Sequence, residues 1–310
     1  MSKKDRIFLA GHNGLVGSAV LKKLKQLNYS NIVVANKKKL NLLDQSKVFR
    51  FLQKKKIKSI IDCAARVGGI KANNDFKGNF IYENLTIQNN LIHGAKINNI
   101  KNLIFLGSSC VYPRDCKQPI KEEYLLNGPL EKTNEPYAIA KIAGIKLCEA
   151  YNYQYKTNYK CLMPTNCFGP GDNYNLATSH FLPALIAKIH HAKLNKKIFI
   201  TLWGDGKAKR ELIYVEDLAE AIVYFLNIKT SHSLINIGTG IEKTIKQYAS
   251  ILFKIAGVEL NVKYENAHLK GTPRKLLDLT LSKKYKWKSK TSLIQDLKTT
   301  YQEFLQSKNN

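Results

Sequence analysis

The chain has 310 residues, 44% of them hydrophobic, enough to bury one large α/β unit or two coupled lobes. It has no apolar run approaching the ~18 residues of a membrane span, and its short charged start leads directly into Ile7-Phe8-Leu9-Ala10, so a cytosolic chain without a membrane partner is expected. The net charge of +27 is nearly all lysine, scattered over predicted helix faces (Lys22, Lys23, Lys25) and loops (Lys54, Lys55, Lys56) with no aromatic-interleaved basic motif; this suits a solvated surface that attracts anionic small molecules and argues against a nucleic-acid partner.

Up to about residue 165, short apolar runs alternate with helical stretches, the signature of βαβ units around a parallel sheet. Strands are expected at residues 6–10, 32–35, 59–63, 103–106 and 160–163, where nearly continuous apolar character suits burial on both faces. Helices are expected at 15–27, 45–54, 80–97 and 137–155. Past Pro164 the pattern loosens. Pro170-Gly171-Asp172-Asn173 reads as a turn. An amphipathic helix at 181–194, a strand at 198–202, a helix at 215–226 with Asp217 near its start, and a strand at 234–237 ending in Gly238 follow. Residues 241–310 alternate helix and strand less regularly. The expected fold class is α/β: a Rossmann-type doubly wound parallel sheet with a smaller C-terminal α/β substrate lobe. The cofactor domain is expected to take residues 1–170 with 211–240 returning to it, and the substrate lobe residues 171–210 and 241–310.

Gly11-His12-Asn13-Gly14-Leu15-Val16-Gly17 stands between the first strand and the first helix. Glycines three apart permit a tight turn, close approach of backbone to a pyrophosphate, and close helix–sheet packing, while the helix N-terminus presents free N–H groups to phosphates. A dinucleotide is therefore expected here. NAD enzymes place an acid at the end of the second strand, on the ribose 2′-hydroxyl. This chain has Ala35-Asn36-Lys37-Lys38-Lys39 there, three cations and no acid, which favours NADP(H).

Tyr137-Ala138-Ile139-Ala140-Lys141 sets a tyrosine and a lysine on one face of a predicted helix. With 16 tyrosines and many lysines such a spacing arises by chance, so its weight comes from its place after the fourth strand. A lysine ammonium beside the phenol is expected to stabilise phenolate and lower its pKa, so that the tyrosine exchanges a proton with a carbonyl oxygen during hydride transfer. Gly107-Ser108-Ser109-Cys110-Val111-Tyr112-Pro113 closes the fourth strand, and Ser108 there either bonds a substrate carbonyl or caps a turn. The 6 cysteines contain no CxxC pair, so free thiols are expected, with neither disulfides nor a metal site.

These motifs, with Pro164-Thr165-Asn166-Cys167-Phe168-Gly169-Pro170 and Arg210-Glu211-Leu212-Ile213-Tyr214-Val215-Glu216-Asp217-Leu218-Ala219, follow one another in an order that resembles the extended short-chain dehydrogenase/reductases over essentially the whole chain. Ala64-Ala65-Arg66-Val67-Gly68-Gly69-Ile70, Gly107-Ser108-Ser109-Cys110, residues 135–144 and Gly271-Thr272-Pro273-Arg274-Lys275-Leu276-Leu277-Asp278 look like the GDP-L-fucose synthase family in particular. The resemblance implies NADPH-dependent conversion of GDP-4-keto-6-deoxy-D-mannose, by inversion at C3 and C5 through enolates and then reduction of the C4 ketone. It implies Ser108, Tyr137 and Lys141 as the reductive triad, Cys110 as epimerisation base and His180 as its acid; both latter types titrate near neutrality in a tuned site. Implied cofactor contacts are Gly11, His12, Asn13, Gly14, Leu15, Val16, Gly17, Lys37, Leu106, Gly107, Ser108, Ser109, Lys141, Pro164, Thr165, Asn166, Cys167 and His180. Implied GDP-sugar contacts are Lys188, Trp203, Arg210 and Asp278, although Trp203 suits a core and Asp278 a cap equally well. A homodimer through two helices per subunit is also implied.

The chain departs from that family at Asn13 and Lys37, where arginine stands in relatives; a lysine offers a point charge in place of a fork. Rival enzymes of the fold fit less well. Dehydratases carry an acid just after the catalytic serine or threonine, where this chain has Ser109-Cys110, and NAD-retaining 4-epimerases are disfavoured by the lysines after the second strand. A non-enzymatic NADP-binding protein would be expected to lack part of the Ser/Tyr/Lys set.

Overall fold

A computed structural model describes residues 2–265 and 272–309; Gly271, which opens one of the stretches quoted above, lies outside them. The first part alternates β1 (Ile7–Ala10), α1 (Leu15–Gln26), β2 (Ile32–Val33), α2 (Gln45–Lys54), β3 (Ser59–Asp62), α3 (Ile70–Asp75), α4 (Lys77–Ile97), β4 (Asn102–Leu106), α5 (Glu135–Tyr155) and β5 (Asn158–Pro164). Then come β6 (Asn166–Phe168), α6 (Phe181–Leu194), β7 (Phe199–Trp203), β8 (Lys209–Tyr214), α7 (Val215–Asn227), β9 (Leu234–Ile237), β10 (Glu242–Thr244), α8 (Ile245–Ala256), β11 (Asn261–Glu265), β12 (Arg274–Lys275), α9 (Thr280–Lys284) and α10 (Leu293–Asn309).

Six parallel strands hydrogen-bond in the order β2-β1-β3-β4-β5-β9. Both faces are covered, which is why these strands are mostly apolar, with buried exceptions at Ser59, Asp62, Lys160 and Asn236. Phe8, Ile60, Phe105 and Cys161 pack against α2, α4 and α5. Ile7, Leu9, Ile61, Ile104 and Leu162 pack against α1 and α7. Each such side chain taken fully from water stabilises the fold by about 1.5–3 kcal/mol. The strand order reverses at β1, with β2 on one side and β3 on the other, so a crevice opens beyond the carboxyl ends of β1 and β3.

Local chemistry sets the ends of the elements near that crevice. Asp44 starts α2 by accepting the Lys47 N–H at 3.0 Å. Val34 and Ala35, expected in the second strand, leave the ladder, and Ala35 turns into the crevice wall. The helix expected from residue 80 begins at Lys77, because Phe76 joins it directly to α3. Helix α5 lies close to the sheet at Gly144, where a Cβ would stand 2.6 Å from the Phe105 ring.

The later elements gather around β8. It pairs with β10, β12 and β6, while β7 pairs with β11. Helices α6, α8 and α10 pack on these strands around Phe168, Leu185, Ile189, Tyr248 and Leu252. Thr244 starts α8 with a reciprocal capping box to Gln247. Among the described residues, no helix is long and apolar enough to cross a membrane.

Candidate active site

A cavity of about 760 Å³ runs along the carboxyl ends of the central strands, a size suited to a small-molecule site. Its walls include residues 11–17, 35–37, 40–43, 63–68, 106–108, 164–167 and 178–183, with Tyr137 and Lys141.

One end is built by the glycine loop. Gly11 has φ +79°, and a Cβ there would lie 2.7 Å from the Cys63 backbone. A Cβ at Gly17 would overlap the Gly11 carbonyl oxygen. Gly14 starts α1 with extended backbone, its own N–H donated to the Gly11 carbonyl at 3.1 Å; no side chain caps the helix and its first turn carries no acid to repel an anion. This backbone cradle fits a dinucleotide pyrophosphate. Beyond it, the exposed Lys37 lines the cavity, whereas Lys38 and Lys39 do not. Leu40, Asn41, Leu42 and Leu43 add a wall that sequence reasoning missed, held by the Asn90 amide donating to the Leu42 carbonyl at 2.8 Å. Its only trace in the sequence is a short apolar run before Asp44.

The other end carries the titratable groups. Ser108 lines the cavity and also caps the turn at 109–111, its hydroxyl accepting the Cys110 N–H at 3.4 Å. The capping reading of this serine therefore holds, and its place on the cavity wall leaves the hydroxyl within the candidate site. Ser109 is buried and does not line the cavity. Cys110 is buried in the same turn, close enough for its charge to bear on Tyr137, Lys141 and Lys275. Lys141 Nζ donates to the Leu106 carbonyl at 2.8 Å, 4.6 Å from the Phe105 ring centroid and 5.9 Å from that of Tyr137. Burial lowers the Lys141 ammonium, and Asp62 opposes that fall.

The expected lowering of the Tyr137 phenol does not occur. Burial pushes it up, and the nearby Cys110 and Asp62 add to the rise. The Lys141 ammonium is spent on the Leu106 carbonyl, so desolvation prevails. A phenol held this way is protonated at neutral pH, the form that donates a proton.

His180 lines the cavity just before α6, without capping that helix. Its ring is open to the cavity, yet the surrounding protein and then the Lys275 charge hold its pKa below the ordinary value, so it is neutral at neutral pH. Lys188, Trp203, Arg210 and Asp278 do not line the cavity. Lys188 donates to the Thr201 carbonyl at 2.8 Å, and Trp203 is 54% exposed at the end of β7. Arg210 donates to the Lys209 carbonyl at 2.7 Å and pairs in register with Lys275. Asp278 accepts the Thr280 N–H at 2.8 Å, a local turn bond just before α9, whose N-cap is Leu279. Lys275, Asp62 and the Arg66–Glu83 ion pair at 2.8 Å surround the site; Arg66 and Lys275 stand in stretches that the sequence marked without assigning them a role, whereas Asp62 and Glu83 stand in no motif.

The model of the NAD dependent epimerase/dehydratase family matches residues 7–238. The chain is 44% identical to the GDP-L-fucose synthase of Escherichia coli (strain K12), over 98% of each chain. Among solved structures it resembles a GDP-6-OMe-4-keto-L-xylo-heptose reductase from C. jejuni, with a TM-score of 0.94 and 33% identity over 99% of each chain. It also resembles a GDP-L-fucose synthetase from Naegleria fowleri bound to NADP, with a TM-score of 0.89 and 28% identity over 100% of this chain and 95% of that one.

Proposed function

Since the chain belongs to the NAD dependent epimerase/dehydratase family and takes a nicotinamide cofactor, we propose that it converts GDP-4-keto-6-deoxy-D-mannose to GDP-L-fucose at the expense of NADPH. The observation that carries this reading is the convergence of Ser108, Tyr137, Lys141 and His180 on one cavity that begins at a glycine-loop cradle, with Cys110 alongside. In the same reading residues 1–170 and 211–240 hold the cofactor, and residues 171–210 and 241–310 hold the sugar nucleotide.

The glycine loop would hold the pyrophosphate, Lys37 the 2′-phosphate, and residues 164–167, on the same cavity wall, the nicotinamide. When bound, NADPH supplies the hydride. The C4 ketone acidifies the protons at C3 and C5. At each of the two carbons in turn, the Cys110 thiolate removes the proton from one face and the His180 imidazolium delivers one to the other; exchange with solvent restores both groups between the two inversions, and the hydroxyls of Ser108 and Tyr137 hold the enolate oxygen in the field of Lys141. His180 is neutral without substrate; the negative diphosphate offsets the effect of Lys275 and favours the imidazolium. In reduction, Tyr137, protonated at neutral pH, gives its proton to the C4 oxygen as the hydride arrives at C4. Arg210 and Lys188 complement the diphosphate, and the exposed Trp203 offers a face to the base.

The test is NADPH oxidation on adding GDP-4-keto-6-deoxy-D-mannose, with the product's configuration read by NMR. No cofactor consumption, or a product unchanged at C3 and C5, rejects the reading. A GDP-keto-heptose is the second reading, favoured by the C. jejuni structure. Turnover of that sugar and not of the deoxymannose would replace the first.

A further inference from the structure

Asp62 is the last residue of β3 and is 1% exposed. One carboxylate oxygen, Oδ1, accepts the Ala64 N–H at 3.0 Å; the other, Oδ2, is buried with no hydrogen-bond partner among the described residues. An ionised carboxylate so placed is costly unless an opposite charge stands near.

The sheet register brings one. Asp62 pairs with Phe105 of β4, and both side chains point to the α5 face. The Lys141 ammonium lies over that same Phe105 ring, anchored by the Leu106 carbonyl, and Lys141 is 3% exposed. The close approach of α5 at Gly144 holds the lysine there. Each charge is the strongest influence opposing the effect of burial on the other. The remaining titratable groups around the pair are thiols and a phenol: Cys63 beside Asp62, Cys110 in the turn after β4, Tyr137 and Cys148 on α5, and Cys161 on β5. Among the described residues, Asp62 is the one carboxylate acting on Lys141.

We propose that Asp62 is a positioning residue of the reductive centre: its carboxylate is the counter-charge that keeps the buried Lys141 an ammonium and so sustains the field felt by Tyr137 and the substrate oxygen. The proposal rests on Tyr137 and Lys141 being the reductive pair. It adds a third, buried partner that does not itself line the cavity.

Heteronuclear NMR of the full chain reads the Lys141 side chain directly, its signal assigned as the one lost in Lys141→Met. In the wild type that signal should shift as Asp62, pushed up to about 6 by burial, titrates. In Asp62→Asn the ammonium should be lost at lower pH than in the wild type. The alkaline limb of kcat/KM for reduction should move down with it while NADPH affinity stays within about twofold, and Asp62→Glu should move both back. A Lys141 titration that Asp62→Asn leaves in place overturns the proposal, as does a wild-type signal blind to the event near pH 6. The wild-type titration decides alone should Asp62→Asn not fold. If the wild type reduces no GDP-keto sugar, the functional reading fails while the NMR result still judges the counter-charge.

Discussion

The rings of Phe80 and Tyr137 meet edge to face, their centroids 6.3 Å apart. Phe80 is buried, and the Arg66 guanidinium sits 5.5 Å from its centroid, itself paired with Glu83 at 2.8 Å. The phenol is thus steered by a stack that begins at an ion pair on the cavity wall. Such an aromatic pair contributes about 0.5–1.5 kcal/mol beyond area burial. Phe80→Leu should lower stability by about 1–2 kcal/mol in calorimetry. It should lower kcat for reduction more than it raises KM, because the phenol loses its fixed approach. An unchanged kcat would show that the stack does not orient Tyr137.

Gly17 and Gly14 should behave differently when a methyl group is added. At Gly17 it would overlap the Gly11 carbonyl oxygen, whereas at Gly14 the nearest atom is 3.6 Å away. Gly17→Ala should cost about 1–3 kcal/mol of stability as the loop shifts, and weaken NADPH binding. Gly14→Ala should fold as the wild type and weaken NADPH binding alone, since Gly14 lines the cavity. Thermal melts beside cofactor titrations separate the two.

Lys275 holds the His180 imidazole down together with burial. Lys275→Met removes the like charge, so the His180 pKa should rise toward its ordinary value. The imidazolium should then form at higher pH than in the wild type, read from the ring-proton signal that His180→Gln removes. A His180 titration unmoved by the substitution would mean that burial alone sets it.

Asp296, in the first turn of α10, is pushed up to about 6 by burial, with Asp217 and Glu216 adding to the rise and a Thr291 hydrogen bond opposing it. A carboxyl raised on folding favours the native state while protonated, and that contribution is lost as pH rises through its folded value. Asp296→Asn should therefore be more stable than the wild type at neutral pH, by about 1–2 kcal/mol. The gain should shrink as pH falls below about 6 and vanish near 3.8. Urea midpoints across that range check both sign and window.

Strands such as β1, β3, β4 and β5 were legible in the sequence because a strand covered on both faces is apolar at most of its positions. The loop at 11–17 was legible because only glycines tolerate its contacts, and α5 because Tyr137 and Lys141 fall on one side of a long helical run. The strands β6, β10 and β12 were not: each is two or three residues long, carries no periodicity, and exists because β8 offers unpaired backbone groups to whatever passes. The titration of the site was equally hidden. The motif at 137–141 told which groups meet, but whether the phenol rises or falls depends on desolvation and on Asp62 and Cys110, which other segments bring in. Sequence determined what each segment has to bury. Only tertiary structure decided which charges share that burial, because electrostatic energies inside a protein depend on distance and exclusion of water and not on separation along the chain.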